Sequence, residues 1–224
     1  MHRIVALFAS LMLVAGAVAQ SGPAFDNTAS NLMVVLREST GANKQDEALV
    51  PIGKAKAKLP DGKEIEFDPG WYSYLGDMHI RFVFDTPNSM PGASPRDLER
   101  LGLSPESALE LAVANIKRVY GEPKATPWND LMQVQGKSPD LDSSYFLDRA
   151  FWRALLKQHP EGIVALVGKR GGLLYSPLSN TKAVDGMRRS VAYLHSSSGN
   201  LRISSALYLF KDDKWSVFQP AVKQ

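Results

Sequence analysis

Residues 77–85, Asp77-Met78-His79-Ile80-Arg81-Phe82-Val83-Phe84-Asp85, alternate in side-chain character through nine positions. Successive residues of a strand point to opposite sides of a sheet, so Met78, Ile80, Phe82 and Phe84 share one face and Asp77, His79, Arg81, Val83 and Asp85 the other. The apolar face belongs in a core. The charged face is expected to be a solvated ladder, since opposite charges two residues apart form ordinary pairs on a sheet surface. A Gly76-Asp77 turn opens the strand and Thr86-Pro87-Asn88 closes it.

The rest of the chain supplies partners for that strand. Leu32-Met33-Val34-Val35-Leu36 is an apolar run between turn formers and reads as a buried strand. Lys54-Ala55-Lys56-Ala57-Lys58, a Leu59-Pro60-Asp61-Gly62 turn and Lys63-Glu64-Ile65-Glu66-Phe67 form a hairpin whose lysines protect an edge. Trp71, Tyr72 and Tyr74 lead into the central strand, and core packing is the favoured reading over a carbohydrate platform. Ser94-Pro95 and Ser104-Pro105 each join an N-cap to a proline at the first helical position. The second starts a helix with Leu109, Ala112, Ile116 and Val119 inside, ended by Gly121 and Pro123. Leu131, Met132 and Val134 make a candidate strand, and Tyr145-Phe146-Leu147 a short one. Asp148 caps a helix with Phe151, Ala154 and Leu155 inward, and Ile163-Val164-Ala165-Leu166-Val167 is a strand covered on both faces. A turn at Gly168-Lys169-Arg170-Gly171-Gly172 leads to a partner strand at Leu173-Leu174-Tyr175. A third helix spans residues 180–194 with Val184, Met187, Val191 and Leu194 buried. A closing hairpin turns at Asp212-Asp213, with Trp215 and Phe218 on Leu207 or Leu209. The sum is an α+β fold: a mixed, mostly antiparallel sheet with about three helices packed on it, in one domain.

Arg3, the apolar residues 4–15 and Ala17-Val18-Ala19 have the form of a signal peptide cut after Ala19. The mature domain of residues 20–224 is then periplasmic or secreted. The apolar run is shorter than the roughly 20 residues a bilayer needs, so no stable membrane insertion is expected. Loss of Arg3 takes the formal charge from +3 to +2, and the basic residues alternate with acids, which is no nucleic-acid footprint. Without cysteine there is no disulfide, thiol nucleophile or Cys-based metal site.

The order of motifs resembles the YtpQ-like proteins, a bacterial family of unknown function. The resemblance rests on Gly76-Asp77-Met78-His79 with Phe84-Asp85-Thr86-Pro87-Asn88-Ser89-Met90, on Leu101-Gly102-Leu103-Ser104-Pro105-Glu106, and on Phe151-Trp152 followed by the strand at 163–167. Leu207-Tyr208 and Trp215 complete it, so it spans residues 71–218. The family carries a Ser-Arg-Asp type sequence at the basic turn where this chain has Lys169-Arg170-Gly171, and its members are read as cytoplasmic. The resemblance implies an α+β fold and no activity.

Two sites carry candidate chemistry. Asp77, His79, Arg81 and Asp85 share a strand face, where a histidine between carboxylates can act as a base. Arg81 between them disfavours a metal, and no paired-His zinc spacing occurs, so neither a metal nor a cofactor is expected. Lys169 and Arg170 between glycines form a candidate anion-binding turn. No Gly-x-Ser-x-Gly elbow is present, and His79, His159 and His195 stand in unrelated contexts. The preferred reading is a non-enzymatic binding or interaction module for an envelope protein or a small anionic ligand. The alternative is a hydrolase or other enzyme using Asp77, His79 and Asp85 with Arg81 or Arg170 as an anion clamp.

Overall fold

The central strand is β6 (Met78–Phe84), placed inside a four-stranded antiparallel sheet in a computed structural model that describes residues 27–222. β1 (Leu32–Glu38) pairs with its whole length, from Leu32 opposite Phe84 to Glu38 opposite Met78. β5 (Trp71–Ser73) pairs on the other side and β2 (Val50–Pro51) lies outside β5. Met78, Ile80, Phe82 and Phe84 are at most 1 % exposed, as the alternation requires. Residues 1–19, read from sequence as a signal peptide, and the leader up to residue 26 lie outside the described residues.

β1 is an edge strand, and an edge leaves every second carbonyl without a ladder partner. Side chains take them: Asn115 Nδ2 donates to Leu32 O at 2.9 Å, Ser144 Oγ to Val34 O at 2.8 Å, and Arg37 Nη1 to Leu36 O at 2.8 Å. Asn115 belongs to α2 (Pro105–Tyr120), which follows the short α1 (Pro95–Arg100); Ser94 and Ser104 cap the two as expected. The buried stripe of α2 is Ala108, Ala112, Asn115 and Ile116, whereas Val119 is exposed. The stripe is rotated from the purely apolar reading because the alanines admit close approach to β1 and the edge carbonyls draw Asn115 inward.

Six strands form the second sheet, in the order β12-β11-β9-β10-β8-β7. They are β7 (Lys124–Trp128), β8 (Leu131–Gln135), β9 (Ile163–Val167), β10 (Leu173–Pro177), β11 (Leu207–Lys211) and β12 (Lys214–Gln219). β9 is buried throughout. Its Val164 and Leu166 pack with Val184, Met187 and Val191 of α4 (Thr181–Ser196), and its Ile163, Ala165 and Val167 join the core shared with the first sheet. The hairpin expected at residues 54–67 forms as β3 (Ala55–Lys58) and β4 (Glu64–Phe67), a two-stranded unit of its own. The α+β class and the antiparallel pairing therefore stand, with the strands divided over two sheets and this hairpin.

Residues 145–147 are not a strand. They end a 3-10 helix over Asp142–Leu147 that plugs the core, with Phe146 stacked on Trp215 at a centroid distance of 4.2 Å. A three-residue apolar run cannot by periodicity be told from a buried turn. Asp148 caps α3 (Arg149–Leu156), whose buried residue is Trp152 while Ala154 is exposed. Trp215 lies on this aromatic cluster, and Phe218 packs near Leu207 and Leu209 on the opposite side. Asp212 and Asp213, with φ of 50° and 60°, make the turn with two left-handed residues that a tight hairpin requires.

The two sheets are joined at the corner between β5 and β6. Asp77 is 3 % exposed, and its Oδ1 accepts hydrogen bonds from Ser204 Oγ and, at 3.0 Å, from Tyr208 OH. Its Oδ2 accepts from Ser205 N–H at 3.2 Å. Burial holds the Tyr208 phenol well above its ordinary pKa, with the Asp77 charge acting in the same sense, so the phenol remains a donor. Gly76 turns the corner at φ 62°, and a Cβ on it would stand 2.6 Å from Tyr208 OH. Removing one donor to a buried carboxylate costs about 1.5–3 kcal/mol, and removing the carboxylate takes the acceptor from three donors, of which Ser204 Oγ and Tyr208 OH, 2.7 Å apart, can bond each other. Tyr208→Phe is expected to lose about 2 kcal/mol and Asp77→Ala about 3 kcal/mol or more in urea unfolding; unchanged midpoints in both would contradict the tie.

Candidate functional site

Residues opposite each other in a ladder share a face, so the register assembles the non-core side of the first sheet. Val35 faces Arg81, Arg37 faces His79, and Trp71 faces Arg81 from the other side. Beyond the end of β5 the chain returns alongside β6, with Val83 bridged to Gly92. Phe67, Asp68, Pro69 and Met90 rise around this floor and enclose a groove of about 390 Å³ with Arg37, Arg81 and Trp71 in its lining.

His79 is 3 % exposed, which corrects the expectation of a solvated face. Arg81 Nε donates to His79 Nε2 at 2.8 Å, so the imidazole proton belongs on Nδ1, 2.9 Å from Ser39 Oγ. Burial, then the positive charges of Arg81 and Arg37, lower the His79 pKa from 6.5 to about 4. The Arg81 guanidinium carbon sits 3.7 Å from the Trp71 ring centroid, and the His79 ring stacks on the same indole at 5.3 Å and 26°. Because the imidazole and guanidinium are hydrogen-bonded to each other, both lie on one face of Trp71. The neutral histidine thus aligns Arg81 without neutralising it.

Arg37 and Arg81 are half-buried, and none of the ion pairs among the described residues involves either. Burial, then Arg170 and Arg81, lower the Arg37 pKa from 12.5 to about 10, opposed by Asp140. Burial lowers that of Arg81 as well. Asp68, the carboxylate in the groove wall, directs Oδ1 to the Gly70 N–H at 2.9 Å. A desolvated cation without a counterion is costly.

The other sequence-derived candidates are dispersed. Asp77 is committed to the second sheet. Asp85 lies past the far end of β6 and accepts from Tyr120 OH at 2.7 Å; burial and this carboxylate push the Tyr120 pKa up to about 12. Lys169 is exposed, while Arg170 is near enough to Arg37 to lower its pKa and has Asp140 at 3.8 Å. Arg37 was missed because it closes an apolar run; its signal is its place two and four residues after Val35 and Met33, on the face that carries His79 and Arg81 in β6. Trp71 was read with the core aromatics, yet it is half-buried in the groove while Tyr72 and Tyr74 are buried.

A larger cavity of about 1030 Å³ lies between α2 and α3. Its half-buried cations are matched: Glu47 accepts from Arg149 at 2.7 Å and Tyr74 OH at 2.8 Å, and Lys117 lies 3.0 Å from Glu122 and 3.3 Å from Asp148. His195 is likewise paired, its Nε2 lying 2.9 Å from Glu38 Oε1. Among the described residues no group of three or more metal-ligating side chains converges, and no helix is long and apolar enough to cross a membrane. No family model, curated protein or solved structure matches the chain.

Two outcomes follow from these charges. His79 is neutral in the fold down to about pH 4 but takes up a proton near pH 6.5 when unfolded, so its contribution is complete above pH 6.5 and is lost as pH falls towards 4. On the order of 2–3 kcal/mol of unfolding free energy should disappear across that window, and His79→Gln should remove this part of the slope; identical slopes would contradict it. Arg37→Met removes a desolvated cation facing two others but leaves the Leu36 carbonyl without its side-chain donor, so the two effects oppose and the variant's stability at low salt should lie within about 1 kcal/mol of the wild type. Thermal unfolding in dilute buffer measures it, and a loss of several kcal/mol would contradict it.

Proposed function

We propose that the protein is an exported, non-enzymatic binding module that receives a small anion in the groove over Arg37 and Arg81. The observation that carries this reading is the pair of half-buried guanidiniums without carboxylate partners among the described residues. The supporting geometry is Arg81, fixed by His79 and Trp71 and left with both Nη groups for a ligand. A guanidinium edge offers two parallel N–H donors, which match the oxygens of a carboxylate or phosphate. Arg170 adds positive potential beside Arg37.

An enzymatic reading through Asp77, His79 and Asp85 has less support. The lone pair of His79 Nε2 is occupied by Arg81 Nε–H, its pKa of about 4 is poor for a base at neutral pH, and the two carboxylates serve other contacts. The export signal at residues 1–19 supports a periplasmic or secreted setting, and the motif order shared with YtpQ-like proteins brings no activity to the reading.

Titration of the mature protein with acetate and inorganic phosphate, followed by backbone amide shifts, tests it. Saturable shifts should centre on Arg37, Arg81 and Trp71, and Arg81→Gln should weaken binding at least tenfold, the value of one charge-assisted pair. Equal affinities in wild type, Arg81→Gln and Arg37→Gln, with circular dichroism unchanged, would overturn the site.

A further inference from the structure

We infer that the anion received in this groove is the carboxylate head of a single-chain aliphatic amphiphile, whose hydrocarbon tail lies along the apolar face of the β3–β4 hairpin. The inference rests on the anion-binding reading and adds the substrate class. The hairpin register pairs Ala55 with Phe67 and Ala57 with Ile65, so these four share one face, while Lys56 with Glu66 and Lys58 with Glu64 form the other. Ile65 and Phe67 are each 41 % exposed, so the strip offers apolar surface to solvent. Phe67 is also part of the groove wall, so the strip runs without a break into the cavity, where Val35, Val83 and Met90 continue it.

The charge is confined to one end of this path. Arg37 and Arg81 stand on the groove floor, and the side chains of Ala55, Ala57, Ile65 and Phe67 offer no donor or acceptor. A ligand that satisfies both ends is anionic at its head and aliphatic along its body; a nucleotide or sugar phosphate would leave its polar groups unpaired against the hairpin. The donor count favours a head with two oxygens. Arg81 has given Nε to His79 and keeps its two Nη groups, while Arg37 has given Nη1 to Leu36 O. One parallel pair of donors remains on Arg81 for a carboxylate, with Arg37 supplying charge beside it.

Calorimetric titration of the mature protein with acetate, butanoate, octanoate and decanoate, each below its micelle concentration, tests the inference. Affinity should rise at least tenfold from butanoate to decanoate, because each methylene withdrawn from water adds to binding. Ile65→Ser, on the strip outside the groove lining, should reduce that gain severalfold and leave acetate affinity unchanged, whereas Arg81→Gln should weaken every acid. Carboxylate binding that depends on Arg81 but not on chain length would overturn the amphiphile and leave the anion site. Absence of binding by every acid and by inorganic phosphate would overturn both readings. Decanol binding as tightly as decanoate would overturn the role of the head group. Adsorption to neutral lipid vesicles with no response to monomeric decanoate would assign the strip to a membrane surface and overturn the inference.

Discussion

The carboxylate of Asp77 sits where β5 turns into β6, and its three donors all come from the chain entering the second sheet, Ser204, Ser205 and Tyr208. A buried charge is tolerated only when its lone pairs are filled, so the corner and the approach to β11 must meet in one geometry. Gly76 is drawn into the same constraint, because Tyr208 OH occupies the space of its missing Cβ. Once the corner is fixed, the direction of β6 and the register of β1 and β5 against it are fixed as well. Everything on the far face of β6, including the spacing of Arg37, Arg81 and Trp71, inherits that register.

β6 thus separates two kinds of electrostatics. At its start, Asp77 has a full set of partners and holds the fold together. Along its second face, Arg37 and Arg81 lack carboxylate partners among the described residues, and their neutral neighbours His79 and Trp71 orient charge without cancelling it. The larger cavity between α2 and α3 gives the contrast, since its half-buried cations, Lys117 and Arg149, are matched by Glu122, Asp148 and Glu47. Cavity size alone would select that one; half-buried guanidiniums without carboxylate partners select the smaller groove.

Much of the fold was legible because its periodicities are strong. Alternation gave β6, the continuous run of residues 163–167 gave a strand covered on both sides, and serine followed by proline gave the starts of α1 and α2. What periodicity could not supply is identity of surroundings. The polar face of β6 read as solvated because sequence carries no sign that Trp71 and Phe67 would cover it. β7 escaped notice because its exposed residues and Pro127 leave an edge strand with little hydrophobic signal. Of the candidate site, Arg81 and His79 were legible as a pair on one face. Arg37 reached them only through the cross-strand register, and Asp77 left them for a partner more than a hundred residues along the chain.

The central claim is that the second face of β6 is an anion site and not a solvated ladder. Crystals of the mature protein grown in bromide test it most directly, since an anomalous difference map locates the anion without assumption about the natural ligand. The account predicts a peak within hydrogen-bond distance of the Arg81 Nη groups, beside Arg37 and over the Trp71 groove. Bromide ordered elsewhere on the protein while this groove holds none would contradict it.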